Sequence, residues 1–114
     1  MTLSTSQVSS VVIHEMDWIG DAPKEFITSD DPQSIASLIE MLQLGSPTSS
    51  HKCLHVGTIT LTLPQGTKKT VLYLPGHNDA YYEYISDGKC YRVPREQFVD
   101  AMKKLRMNVP LKCN

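Results

Sequence analysis

Apolar and polar residues alternate along several short stretches of the chain, and two longer stretches carry apolar residues at helical spacing. The alternation predicts β-strands at 11–16, 53–63, 69–74, 81–86 and 89–93. The helical spacing predicts one helix over 32–44, through Ile35, Leu38, Ile39 and Leu42, and a second after Pro94, through Phe98, Ala101, Met102 and Leu105. The order of elements is therefore β-α-β-β-β-β-α, and residues 24–28 are a further candidate strand.

Local signals mark where the elements begin and end. Asp31 can cap the first helix, Pro32 suits its first position, and Gly45 follows its end. Asp87-Gly88 is a typical two-residue hairpin turn. Tight turns between successive strands favour an antiparallel meander, and two amphipathic helices need one face of it. We therefore predict the α+β class: a two-layer sandwich with a meander sheet of four to six strands.

The turn at 64–67 sets the expected register between the two strands that flank it. If Leu63 pairs with Lys68, then His55 lies opposite Gly76 and Leu54 lies opposite His77. Residues 51–55 would thereby be neighbours of residues 76–79.

A chain of 114 residues is of the size of one domain. We expect a flexible segment at 1–10, a single domain at 11–107 and a C-terminal tail at 108–114. No apolar run approaches the length of a membrane span, and the first residues lack the pattern of a secretory signal. These patterns predict a soluble, cytoplasmic protein that does not insert into a membrane.

The charges are divided unevenly between the two halves of the chain. Residues 1–50 hold seven acidic residues and one basic residue, and residues 51–114 hold ten basic and five acidic residues. Mutual attraction within one fold explains this division, and two oppositely charged faces for partners are the alternative. The acidic half would oppose a nucleic acid, so we expect no nucleic-acid partner.

Potential metal ligands or reactive groups are concentrated in two segments. His51, Cys53 and His55 alternate along one predicted strand, and the register would place His77 and Asp79 beside them. His51 and His55 would be about 13 Å apart at Cα, too far to share one ion easily, whereas Cys53 and His55 could share one. Zinc suits this ligand set, and Cys53 could alternatively act as a nucleophile with a histidine base. The other interpretation is a small buried cysteine with hydrogen-bonded histidines at the rim.

A cluster of tyrosine residues occupies the hairpin built around Asp87-Gly88. This turn predicts that Tyr84 pairs with Tyr91 and that Tyr82 pairs with Val93, which puts all four on one face. Tyr81, Glu83, Ile85, Cys90 and Arg92 would share the other face. Packing within the hairpin explains the tyrosines, and a protein-binding face is the functional alternative, because Tyr and Arg are enriched at interfaces. The candidate binding residues are Tyr82, Tyr84, Tyr91, Arg92 and Arg95.

The sequence therefore supports two hypotheses of function. The leading one is a non-enzymatic protein-binding or regulatory module with an unidentified protein partner, without catalytic residues and without a cofactor. The alternative is a small metal- or thiol-dependent enzyme centred on Cys53, His55, His77 and Asp79, with zinc as its metal. Either a monomer or a homodimer is compatible with the sequence.

Overall fold

The computed structural model describes residues 8–17, 22–49, 54–76 and 79–110. In these ranges the chain forms seven strands and two α-helices. The strands are β1 (Ser10–Asp17), β2 (Ala22–Ser29), β3 (Ser46–Thr48), β4 (Gly57–Thr62), β5 (Lys68–Pro75), β6 (Tyr81–Ser86) and β7 (Lys89–Pro94). The helices are α1 (Pro32–Gln43) and α2 (Arg95–Lys104).

All seven strands belong to one antiparallel sheet, in the order β2-β1-β4-β5-β6-β7-β3. Strands β4 to β7 form the predicted meander, with each strand beside the next one in the chain. The β1–β2 hairpin joins this meander through β4, whereas β3 lies at the opposite edge, beside β7. Helix α1 therefore connects the two edges of the sheet.

The hydrophobic core lies between the helices and one face of the sheet. Strand β4 shows why, because its residues alternate between buried Gly57, Ile59 and Leu61 and partly exposed threonines. The sheet contributes to the core Val11, Ile13, Ile59, Leu61, Val71, Tyr73, Tyr82, Tyr84 and Val93. The helices contribute Ile35, Leu38, Ile39, Met41, Leu42, Phe98, Ala101, Met102 and Leu105. Both helices thus cover the same face, and the opposite face, called the open face below, is left without a helix in the described part of the chain.

The two helices begin in different ways. At α1 the Asp31 carboxylate accepts hydrogen bonds from the Ser34 amide at 3.0 Å and from the Ser34 hydroxyl at 2.6 Å, so Asp31 is the predicted cap. At α2 the preceding residue is Pro94, and no side chain caps the first turn. The amide of Arg95 instead donates to the Ala80 carbonyl at 2.9 Å, which fastens the start of α2 to the segment before β6.

The register between β4 and β5 differs by one residue from the predicted register. Leu63 pairs with Thr67, its amide donating to the Thr67 carbonyl at 2.8 Å, and Thr62 is opposite Lys68. Gly66 has a φ of +86°, which only glycine adopts easily and which closes the loop over three residues rather than four. The prediction that Leu63 pairs with Lys68 is therefore wrong.

The predicted α+β class with an antiparallel sheet and two helices is confirmed, although the sheet has seven strands. The additional strands are β2, which includes the candidate strand 24–28, and β3, which falls in a stretch where the pattern predicts no element. Val8 is buried, and the Tyr82 hydroxyl donates to the Pro110 carbonyl at 3.0 Å. Neither of the described helices is long and apolar enough to cross a membrane.

Candidate functional site

The open face includes a row of partly exposed side chains that crosses the sheet. Cross-strand pairing aligns one residue from each of six strands into a row across this face. The row consists of His14, Thr58, Leu72, Ile85, Cys90 and Thr48, and each of these residues is intermediate in exposure. The middle of the row is apolar, because Leu72 and Ile85 are cross-strand neighbours.

A second row lies beside the first and contains two charged residues, Glu83 and Arg92. Leu74 pairs with Glu83, and Glu83 pairs with Arg92. Leu74 and Glu83 are buried, whereas Arg92 is exposed and its guanidinium carbon lies 4.5 Å from the centroid of the Tyr81 ring. This distance is within the range of a cation–π interaction, which favours the contact of the Arg92 guanidinium with the Tyr81 ring.

Gly76 is closely packed at the end of β5 next to this second row. Its amide donates to the Tyr81 carbonyl at 3.2 Å. A Cβ atom at this position would lie 2.7 Å from the same carbonyl oxygen and 3.4 Å from Oε2 of Glu83. The absence of a side chain at Gly76 therefore lets β5 approach β6 beside the buried Glu83 carboxylate.

The predicted binding residues are divided between the two faces of the sheet. The register confirms that Tyr82 pairs with Val93 and that Tyr84 pairs with Tyr91. However, this is the core face: Tyr82 stacks on Phe98 with ring centroids 4.1 Å apart, and neither Tyr82 nor Tyr84 has exposed surface. These two tyrosines are structural, and they cannot form a surface for a partner. Of the remaining three, Arg92 is exposed and Tyr91 and Arg95 are partly exposed.

The hydroxyl groups of Tyr82 and Tyr84 also have structural roles. The Tyr84 hydroxyl donates to the Leu42 carbonyl near the end of α1, and burial raises the pKa of Tyr84 to about 12. Burial, together with the neighbouring Tyr73, raises the pKa of Tyr82 far above its ordinary value. Both hydroxyls therefore stay protonated at neutral pH and hold main-chain segments against the sheet.

Arg95 is held by the structure at the start of α2. Its Nη1 atom lies 3.4 Å from Oδ1 of Asp79, and its side chain is 16% exposed against 99% for Asp79. Its Nε atom is buried without a hydrogen-bond partner. Arg95 therefore presents little of its charge to a partner.

Most of the predicted metal or thiol site lies outside the described residues. His51, Cys53 and His77 are outside the described residues, so the hypothesis that their side chains lie close together stays a prediction. His55 is described but lies before the first residue of β4. No strand pairing therefore places it beside residues 76–79, where the sequence predicted it to lie. Asp79 is described and pairs with Arg95. Among the residues that the structure describes, no three His, Cys, Asp or Glu side chains lie close enough to hold a metal ion.

Two described groups, the His55 imidazole and the Cys90 thiol, have pKa values shifted toward their uncharged forms. Burial lowers the pKa of His55, which favours the neutral imidazole. Burial and the nearby Glu83 carboxylate raise the pKa of Cys90, so this thiol is protonated and a poor nucleophile.

The sequence predicted that Tyr81 and Arg92 share one face and that Arg92 is a candidate binding residue, but it did not single out Tyr81. The sequence does contain a signal for which face is buried. Val93 and the two amphipathic helices require a buried face, and the face with Tyr82 is the more apolar of the two.

Comparison of the chain with protein-family models, with curated proteins and with solved structures finds no match.

Proposed function

We propose that this protein is a non-enzymatic binding module whose partner protein docks on the open face around Tyr81, Ile85 and Arg92. The observation that carries the proposal is the composition of this face. It combines partly exposed apolar side chains with an arginine stacked on a tyrosine, in a described part of the chain that no helix covers.

The physical argument concerns the cost of ordering side chains when a complex forms. Tyr and Arg are the residue types that most often dominate interface energies. Because Arg92 is already held against the Tyr81 ring, less conformational entropy is lost when a partner covers the pair. The neighbouring Leu72 and Ile85 supply apolar area that a partner can bury.

The proposal is tested with affinity capture from an extract of the cells that produce the protein, followed by titration of the captured partner. We expect Tyr81→Ala and Arg92→Glu to weaken the binding of that partner by about tenfold or more, as is typical of central interface residues. Lys103→Glu is the matched control for Arg92→Glu, because it makes the same charge change at an exposed position of α2.

Circular dichroism and thermal unfolding establish that each variant keeps the fold. Equal affinity of the partner for the wild type, both open-face variants and the control contradicts the proposal. The proposal is also contradicted if a folded Arg92→Glu variant retains every protein that the wild type retains.

A further inference from the structure

A cavity of about 450 Å³ lies at the corner of the sheet where β3 ends beside β7. It is lined by Pro47, Thr48, Gly88, Lys89, Cys90 and Tyr91. Strand β3 has only three residues and its last pair is Thr48 with Cys90, so Lys89 and the turn before it extend past the end of β3. The short edge strand therefore leaves a notch in the sheet.

The walls of this cavity are apolar and held in place. Pro47 and Tyr91 face each other across the two strands, and the Tyr91 ring stacks on Tyr84 with centroids 5.4 Å apart. Because Tyr84 is completely buried and its hydroxyl binds the Leu42 carbonyl, it gives the Tyr91 ring a fixed support. Cys90 also lines the cavity, and burial together with the Glu83 carboxylate raises the pKa of its thiol, which is therefore protonated.

The charge at the rim of the cavity is positive. Among the described residues that line the cavity, Lys89 is the one with a charge; it is exposed, and no described carboxylate lies within ion-pair distance of it. The nearest acidic residue along the chain, Asp87, is paired with Lys69 at 2.9 Å. Arg92 adds a second exposed cation on the same strand, on the open face. A ligand group near this rim therefore gains from a negative charge.

We propose that this cavity receives an apolar side chain of the partner protein and that a neighbouring carboxylate of the partner lies against Lys89. The inference deepens the proposed function and rests on it, because the cavity adjoins the open face at Cys90. The partner segment is thus acidic, with an aromatic or branched aliphatic residue flanked by Asp or Glu. Such an anchor fits a pocket that is formed before binding.

The test uses the intact chain and a phage-displayed library of random twelve-residue peptides, followed by fluorescence titration of the selected peptides. We expect the selected peptides to share an aromatic or aliphatic residue next to Asp or Glu. Lys89→Glu should weaken their binding by about fivefold, the scale of an exposed charge contact, and the loss should shrink in high salt. Lys103→Glu is the control with the same charge change, and it should bind like the wild type.

Two variants at Tyr91 test the apolar part of the cavity. Tyr91→Phe keeps the stacked ring and should retain peptide binding, whereas Tyr91→Ala removes a wall and should abolish it in a protein that still unfolds cooperatively. Peptides without acidic residues, an absence of selected peptides, or binding that Lys89→Glu leaves unchanged would overturn the inference. If Tyr81→Ala and Arg92→Glu still weaken the partner protein in that case, the proposed function stands without it.

Discussion

Among single residues, Ser86 is a buried polar residue whose hydroxyl is not satisfied. It is 3% exposed at the end of β6, and its hydroxyl oxygen has no hydrogen-bond partner. A buried hydroxyl without a partner loses its hydration and gains nothing in return. This position therefore lowers the stability of the fold.

We expect Ser86→Ala to raise the free energy of unfolding by about 1 kcal/mol, because it removes the unpaired group and leaves the backbone unchanged. Thermal unfolding followed by circular dichroism should show a midpoint higher by about 4 °C. Ser34→Ala is the control, because the Ser34 hydroxyl donates to Asp31 and its loss should lower the midpoint. A lower midpoint for Ser86→Ala would mean that its hydroxyl has a favourable partner.

The tyrosines show how far single residues could be interpreted from the sequence. Alternation and the Asp87-Gly88 turn correctly predicted which side chains share a face, because both depend on local geometry. They do not by themselves show which face the helices cover, although the greater apolarity of the Tyr82 face is a signal for it. That choice depends on where Phe98 and the residues of α1 pack, and this is a property of the tertiary structure.

Among the elements, helix α1 depends on a charged cap at its first turn. The hydroxyl and amide of Ser34 donate to Asp31, and together they lower the pKa of that carboxyl below its ordinary value. The ionised cap therefore stabilises the fold above about pH 4, the ordinary pKa of aspartate, and this stabilisation is lost as the pH falls through the lower folded value.

Asp31→Asn keeps an oxygen that can cap the helix but removes its titration. We expect the difference in unfolding midpoint between wild type and Asp31→Asn to be present at pH 7 and to shrink as the pH falls from 4 to 2. Asp30→Asn removes a neighbouring charge without changing the cap, and it serves as the control. A difference that stays constant down to pH 2 would show that the charge of Asp31 does not contribute.

The elements differ in how well the sequence predicted them. Helix α1 and strand β6 were predicted almost to the residue, because their periodicity and their flanking turn residues agree. Strand β3 was missed because three residues with a central proline give no periodic signal, and its pairing with β7 joins distant parts of the chain. The cavity at that edge could therefore not be predicted either.

For the molecule as a whole, both edges of the sheet carry features that oppose pairing with another chain. On β2 the register with β1 shifts between Glu25 and Pro23, so Lys24 is an extra residue in the edge strand. On the other edge, β3 is short and contains Pro47, which has no amide hydrogen to offer. Short strands, bulges and prolines are the usual protections of a sheet edge.

We therefore expect the chain to be a monomer at about 100 μM, a concentration at which an unprotected sheet edge would begin to associate. Light scattering coupled to size-exclusion chromatography measures this. Pro47→Val supplies an amide hydrogen and should promote self-association, whereas Ser46→Val adds the same side chain on the same strand without a new donor. A wild-type dimer, or equal association of the two variants, would contradict the protective role of Pro47.

The position of β3 also governs the order in which the molecule can be assembled during translation. A ribosome makes this strand before any of the meander, yet its only neighbour in the described sheet is β7, the last strand to be made. Helix α1 likewise exposes its apolar side until the strands beneath it have emerged. Strands β1 and β2 can pair with each other early, but β3 and the apolar side of α1 must wait for the later strands, and β7 completes the sheet by pairing with β3.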